Sequence, residues 1–293
     1  MKLSLIPVTL FFLAFSATAQ DTQTPTDWIT KGSTGLNFAQ SSLSNWSAGG
    51  ENSLATTGIL TFTAEQKYVH YTWTNNLDIA YGVIKQGDKG FRKSDDKFNF
   101  LTKFGRSLSP DWNLTFLFEL KTQLDAGYKY ETVAGKEVST FVSRFMSPGY
   151  VNASLGFDFR GVPNLQVFMT PATGKATFVL DDKLNSVGAY GVKKGENALY
   201  EFGAYVNARY QMPVFENINY LAKLDLFSAY DKMKYVDINF ENLVTFKVNE
   251  YVNASLSVQT IYDDDIVVQK DNGKIGRAVQ FKEVIAIGVA YTF

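Results

Sequence analysis

The chain has 293 residues, with 28 basic and 29 acidic side chains and a net charge of −1. That balance lacks the basic footprint of a nucleic-acid binder, so nucleic acid is not an expected partner. Cysteine is absent, which rules out a disulfide framework, a thiol nucleophile and an acylated N-terminal cysteine.

The composition is rich in Phe (24) and Tyr (16) and poor in Pro (7), a mix that suits strands and interfacial aromatic girdles better than helices. At the N-terminus, Lys2 precedes a largely apolar run from Leu3 to Phe15. Ala17-Thr18-Ala19 then reads as a small-x-small cleavage site. Residues 1–19 are therefore expected to be a secretory signal, with the mature chain starting at Gln20. Residues 20–32 are expected to form a polar leader, and residues 33–293 the folded unit. After Gln20 no apolar run approaches the ~20 residues of a spanning helix.

From there the pattern has period two. Trp112, Leu114, Phe116, Phe118 and Leu120 share one face; Asn113, Thr115, Glu119 and Lys121 share the other, with Leu117 as the exception. Val252, Ala254, Leu256, Val258 and Tyr262 alternate in the same way with Asn253, Ser255, Ser257 and Gln259. Such alternation predicts strands with one apolar and one polar face. The spans expected are 33–40, 53–68, 70–85, 93–107, 112–126, 149–160, 164–176, 199–212, 217–230, 235–248, 251–265 and 279–293. The fold class expected is all-β: an antiparallel transmembrane β-barrel of about 12 strands.

The connections alternate in length. Short ones fall at 68–70, 108–111, 161–163, 213–216 and 249–250; longer ones fall at 41–52, 127–148, 177–198 and 266–278. Short periplasmic turns opposite long extracellular loops are the outer-membrane pattern, and an even strand count returns both ends to the short-turn side. Tyr71 and Tyr81, Tyr200 and Tyr210, and Tyr220 and Tyr230 are spaced to reach two interfaces. Ten residues span roughly 34 Å of strand, or about 26 Å of membrane normal at a tilt of about 40°. In the last strand Ile285, Ile287, Val289, Tyr291 and Phe293 share a face. Val289, Tyr291 and Phe293 thus form a candidate C-terminal assembly signal, with the barrel-assembly machinery and outer-membrane lipid as expected partners.

Several segments carry a resemblance. They are Leu36-Asn37-Phe38, Gln40-Ser41, Asn45-Trp46, Gly49-Gly50-Glu51-Asn52-Ser53, Gln86-Gly87, Phe91-Arg92-Lys93-Ser94-Asp95-Asp96-Lys97, Tyr262-Asp263-Asp264-Asp265 and Gln280-Phe281-Lys282-Glu283. Through them the chain resembles a family of Bacteroidota outer-membrane proteins known as a domain of unknown function. The resemblance implies an outer-membrane location and a barrel-like fold. It carries over no catalytic residue, ligand or cofactor.

No catalytic constellation is legible. The single histidine, His70, falls at an expected periplasmic turn, and there is no HExxH motif or P-loop. Barrel enzymes that use a histidine base are therefore a distant reading. Asp263, Asp264 and Asp265 are the best metal candidates, with Asp95-Asp96 and Asp181-Asp182 expected at the same rim. The competing reading is a solvated rim paired with Lys93, Lys97 and Lys183.

The inward face is expected to carry Asp78, Lys103, Glu119, Lys121, Asp158, Glu201, Arg209, Lys223, Asp225, Glu241, Lys247 and Lys282. Charges of both signs suit a narrow pore or a network that closes it, with Lys223 and Glu241 as expected partners. Val138, Phe141, Val142 and Phe145 lie at helical spacing before Pro148, which predicts a short amphipathic helix capping the mouth, plugging it, or packing on neighbouring loops or a partner. The function classes in play are a restricted small-solute channel, an accessory subunit of a larger outer-membrane assembly that would bring outer-membrane protein partners, and, far behind, an enzyme at the rim. No cofactor is expected.

Overall fold

Alternating apolar and polar residues can bury one face only if each strand pairs on both sides, and closing the ladder on itself removes the exposed edges. The computed structural model, which describes residues 27–43, 51–269 and 275–293, shows this closure. The expected signal segment, most of the leader and residues 44–50 lie outside the described residues.

The strands are β1 (Ile29–Ser41), β2 (Ser53–Lys67), β3 (Tyr71–Gln86), β4 (Arg92–Ser107), β5 (Trp112–Thr122), β6 (Gly127–Val133), β7 (Lys136–Ser143) and β8 (Gly149–Phe159). They continue as β9 (Leu165–Phe178), β10 (Ala198–Phe215), β11 (Ile218–Ala229), β12 (Asp237–Lys247), β13 (Val252–Tyr262), β14 (Val268–Gln269), β15 (Ile275–Gly276) and β16 (Gln280–Thr292). One helix, α1 (Asp182–Val187), lies between β9 and β10. The closed barrel runs β1-β16-β13-β12-β11-β10-β9-β8-β5-β4-β3-β2, while β6-β7 and β14-β15 form two-stranded sheets outside it. The fold is a closed antiparallel β-barrel of twelve strands. Among the described residues no helix is long and apolar enough to cross a membrane.

The expected strands appear within a few residues, with two departures. β1 begins at Ile29, because Ile29 to Gly32 extend the ladder against Glu65 to Phe62; the expected leader is shortened accordingly. The helix expected over Val138–Phe145 is instead the β6–β7 hairpin. Ala134 and Gly135 sit at φ 51° and 76°, the left-handed pair that makes the tightest hairpin turn. The cross-strand pairing this turn enforces outweighs a helical spacing of only four apolar residues.

Short turns join β2 to β3, β4 to β5, β8 to β9, β10 to β11 and β12 to β13 at one end. The long connections gather at the other end. Aromatic pairs collect at the short-turn end: Trp28 with Trp73, Tyr71 with Phe104, Trp112 with Phe159, and Tyr291 with Phe293. Phe178 with Tyr200 and Phe202 with Tyr230 lie toward the other end. Tyr230 falls just beyond β11, not on it.

Pro171 interrupts β9, and the register shifts there against both β8 and β10. Proline has no N–H for the ladder, so the wall needs a bulge. The freed carbonyls are recaptured by side chains: Thr170 Oγ1 donates to the Leu155 carbonyl at 2.5 Å, and the Tyr230 hydroxyl donates to the Pro171 carbonyl at 2.5 Å.

The ring closes through β1 and β16, with register running from Ser33↔Thr292 to Phe38↔Ile287. Past the strand end, Phe293 N–H donates to the Gly32 carbonyl and Gly32 N–H to the Phe293 carbonyl, both at 2.9 Å. The Phe293 ring occupies the space that a side chain on Gly32 would fill. Deleting Phe293 removes both closing bonds and this packing. The expected outcome is a smaller fraction of heat-modifiable, folded barrel on a gel; an unchanged fraction would show that closure does not depend on this residue.

Candidate functional site

The lumen collects the polar face of every barrel strand, and twelve strands leave a bore that facing side chains can cross. Lys223 Nζ of β11 lies 2.9 Å from Asp78 Oδ2 of β3. Lys97 Nζ of β4 lies 3.1 Å from Glu241 Oε2 of β12. In both pairs the two strands are six places apart around the ring in either direction. Each pair therefore spans the barrel across its full width.

The expected Lys223–Glu241 pair is corrected here. The two residues are register neighbours on β11 and β12, but neither takes the other as its ion-pair partner. Both side chains project from the same wall toward the lumen axis, so each meets a group arriving from the opposite wall.

Shorter chords complete the network. Lys121 Nζ lies 2.9 Å from both Glu119 Oε1 and Asp225 Oδ2. Asp225 also accepts from the Tyr205 hydroxyl at 2.7 Å and from Asn207 Nδ2 at 2.8 Å. Asp158, fully buried, meets Arg160 Nε at 2.6 Å and Lys103 Nζ at 3.5 Å. Lys103 also donates to Asn207 at 2.9 Å. Lys175 meets Asp237 at 2.6 Å and Glu201 at 3.3 Å, and Lys282 meets Asp95 at 2.7 Å.

Two residues of the expected set stand apart from the carboxylates. Arg209 donates to Gln211 at 2.6 Å, and Lys247 is exposed at the short-turn end of β12. Lys97, Arg160, Lys175 and Asp237 belong to the network although the sequence reading did not place them in the lumen. Their alternation matches that of the residues it did place there, and this was the available signal.

The lumen is uneven. Leu117, Phe168, Tyr205, Phe227 and Ala229 form a dry cluster on the inner wall of β5, β9, β10 and β11, with Leu101 against it. Lys103 Nζ sits 5.4 Å from the Phe168 ring and Lys175 Nζ 4.8 Å from the Phe227 ring, so the ammonium groups are held by both carboxylates and aromatic faces. The inward residues of β1, β2 and β16 are smaller, including Ser33, Gly35, Thr57, Thr61, Ala286 and Gly288.

At the long-loop end the three consecutive carboxylates separate. Asp264 pairs with Arg277 at 2.9 Å and Asp265 with Lys232 at 2.6 Å. Asp263 accepts from the Asp265 N–H at 2.8 Å, and burial raises its carboxyl above the usual range. Among the described residues no group of three or more acidic, His or Cys side chains is arranged to hold a metal. Of the expected basic partners, Lys93 does pair with Asp96 at 2.7 Å, whereas Lys97 is drawn into the lumen and Asp181 takes Arg144 at 3.1 Å. Lys183 contributes its backbone N–H to Asp181, which caps α1 together with the N–H of Leu184.

The cap fixes a small second core of Val179, Leu184 and Val192, with Phe141 and Tyr190 packed on it. The Tyr190 hydroxyl donates to the Val142 carbonyl at 2.6 Å, tying the 179–197 loop to the hairpin. Burial pushes this phenol up to about 12.

His70 lies in the turn between β2 and β3, where its carbonyl accepts from the Ser107 N–H at 2.8 Å.

A family model described as a protein of unknown function, DUF3078, matches residues 38–128. That stretch contains the motif Phe91 to Lys97, whereas the segments at Tyr262 and Gln280 lie outside it. No curated protein matches the chain. Similar solved structures include an outer-membrane channel from Pseudomonas putida F1, 10% identical at a TM-score of 0.41, covering 94% of this chain and 100% of that one. The translocator domain of the autotransporter NalP from Neisseria meningitidis is 10% identical at a TM-score of 0.36, with 91% and 87% covered. The toluene transporter TbuX of Ralstonia pickettii is 8% identical at a TM-score of 0.31, with 90% and 88% covered. At these identities the likeness is one of fold.

Replacing Lys121 with Ala leaves Glu119 and Asp225 facing each other without their shared cation. Stranding a buried charge in this way costs about 3 kcal/mol, so the barrel's unfolding temperature should fall clearly; an unchanged value would show that water replaces the ammonium.

A pH effect is expected at α1. Burial raises the Asp181 carboxyl, but the Arg144 bond and the cap N–H groups outweigh it and hold the carboxyl below its usual range. Its stabilising contribution is therefore present above the ordinary carboxylate pKa and is lost as pH falls through the lowered value. Limited pepsin digestion should cut the 179–197 loop more readily at the acid end of that window, and Asp181→Ala should abolish the difference.

Proposed function

We propose that the protein is an outer-membrane channel for small solutes whose bore is restricted by ion pairs that cross it. The observation that carries this reading is the pair of full-width contacts, Asp78 with Lys223 and Lys97 with Glu241. A barrel serving only as a scaffold can fill its lumen with apolar side chains. This one keeps opposed charges at mid-bore, between small polar inward residues on one side and a dry cluster on the other.

An outer-membrane location is supported by the outward face of the wall. Leu36, Phe38, Trp73, Phe104, Phe116 and Ile285 all expose large apolar side chains there, in amounts that a water-facing wall does not tolerate and a bilayer does. The resemblance to Bacteroidota outer-membrane proteins points the same way.

A second reading, an accessory subunit, has one specific observation in its favour. The β6–β7 hairpin stands beyond the mouth with Tyr128, Tyr130, Val133 and Val138 exposed. A partner protein meeting the loops would find its contact surface there.

Planar-bilayer recording tests the channel. The wild type should show small or intermittent conductance, and Lys97→Ala combined with Glu241→Ala should enlarge it. Glu241→Ala alone strands Lys97 and removes a lumen carboxylate, so ion preference should shift toward anions. A large, stable wild-type conductance would refute the restricted bore, and silence in the double variant would favour the accessory reading.

A further inference from the structure

The two strands that close the ring are paired over only part of their length. Their register starts at Ser33↔Thr292 and stops at Phe38↔Ile287. Ala39, Gln40 and Ser41 remain in β1 and pair with β2. Ala286, Ile285 and Val284 remain in β16 and pair with β13. Continuing the register would join these residues as Ala39–Ala286, Gln40–Ile285 and Ser41–Val284, yet none of these pairs forms. Phe281 to Ile285 are exposed on both faces of their strand, in contrast to the partly buried residues of β13 beside them. The wall is therefore split above Phe38 and Ile287, in the half of the barrel nearer the long loops.

Two further features meet at the split. Just below it on the outer wall lies an apolar groove of about 860 Å³ around Gly58, lined by Leu36, Leu60, Ile79, Val289 and Tyr291. Inside the split the inward residues are small: Ala39, Ala55, Val284 and Ala286 stand among Asn37, Ser41, Ser53 and Thr57 by strand alternation, with Ile59 the largest apolar side chain between them. Above these residues lies the charged Lys282–Asp95 pair. An outer apolar groove and a split lined inside by small residues thus lie in one continuous line.

We propose that the β1–β16 split is a side port through which a single acyl chain of an amphiphile passes between the bilayer and the long-loop half of the lumen. The apolar chain follows the groove and enters past the small inward residues of the split, while the head group stays at the level of Lys282 and Asp95. The full-width Asp78–Lys223 pair lies below, nearer the short-turn end, and forms the floor of this chamber. The port rests on the membrane reading given above but not on ion conduction.

Two measurements test the port. The first uses cysteine pairs in the folded barrel. Leu36→Cys with Val289→Cys lies in register below the split and should oxidise to a cross-link; Gln40→Cys with Ile285→Cys should not. The second uses single tryptophans in a chain whose native Trp28, Trp46, Trp73 and Trp112 are replaced by Phe, folded into vesicles of phosphatidylcholine brominated on its acyl chains. Leu60→Trp, facing outward, should be quenched. Ile59→Trp, facing the lumen, should be quenched to a comparable degree, and Leu243→Trp, inward on β12, should not. Cross-linking of both cysteine pairs, or quenching at Ile59 no greater than at Leu243, would overturn the port. Absence of quenching at Leu60 would overturn the membrane reading itself.

Discussion

Closing a ring of alternating strands forces every second side chain into one narrow space, and this constraint governs the rest of the molecule. Those side chains cannot all reach water, so their charges must find each other. With twelve strands the distance across the bore matches the combined reach of a lysine and a carboxylate, as Asp78 with Lys223 and Lys97 with Glu241 show. The same constraint explains why Lys121 is shared by two carboxylates and why Asp158 has two cations. Interior charges meet partners on the opposite wall, on a neighbouring strand, or two residues along their own, as Lys121 with Glu119 and Asp158 with Arg160 show.

This is also why the sequence discloses strands more readily than partners. Alternation over Trp112 to Lys121 and over Val252 to Tyr262 is a local property, and both segments are strands close to the expected limits. Lys223 and Glu241, expected as partners, are neighbours in register on β11 and β12. That they bond elsewhere depends on ring order, which places β3 opposite β11 and β4 opposite β12, and no local pattern encodes that order. The hairpin at Val138 misled for a different reason. A tight turn at Ala134-Gly135 outweighs a helical spacing that spans only two turns. The helix that does form, α1, is six residues long and carries a capping Asp181 as its main signal, too little periodicity to stand out.

The wall is built in two qualities. On the side of β5, β8, β9 and β10 the inner surface is dry, and Leu117, Phe168 and Asp158 are fully buried. The bulge at Pro171 is tolerated there because Thr170 and Tyr230 recapture the carbonyls it frees. On the side of β1 and β16 the ladder is short, the inward residues are small, and the seam depends on Gly32 and Phe293 at one end. The ring thus combines a rigid side that positions the charges with a yielding side that gives room.

The dry cluster also sets the order in which the barrel comes apart. Amide protons on β5, β8, β9 and β10 lie between a packed interior and the outer wall, so deuterium reaches them last. The amides of Phe281, Glu283 and Ile285 point toward the split and exchange early. Heating therefore opens the cylinder along β1 and β16 first, and what persists is a curved, open sheet centred on Phe168 and Leu117. Run in reverse, the same gradient has that sheet assemble before the two end strands meet, so closure is the last event of folding.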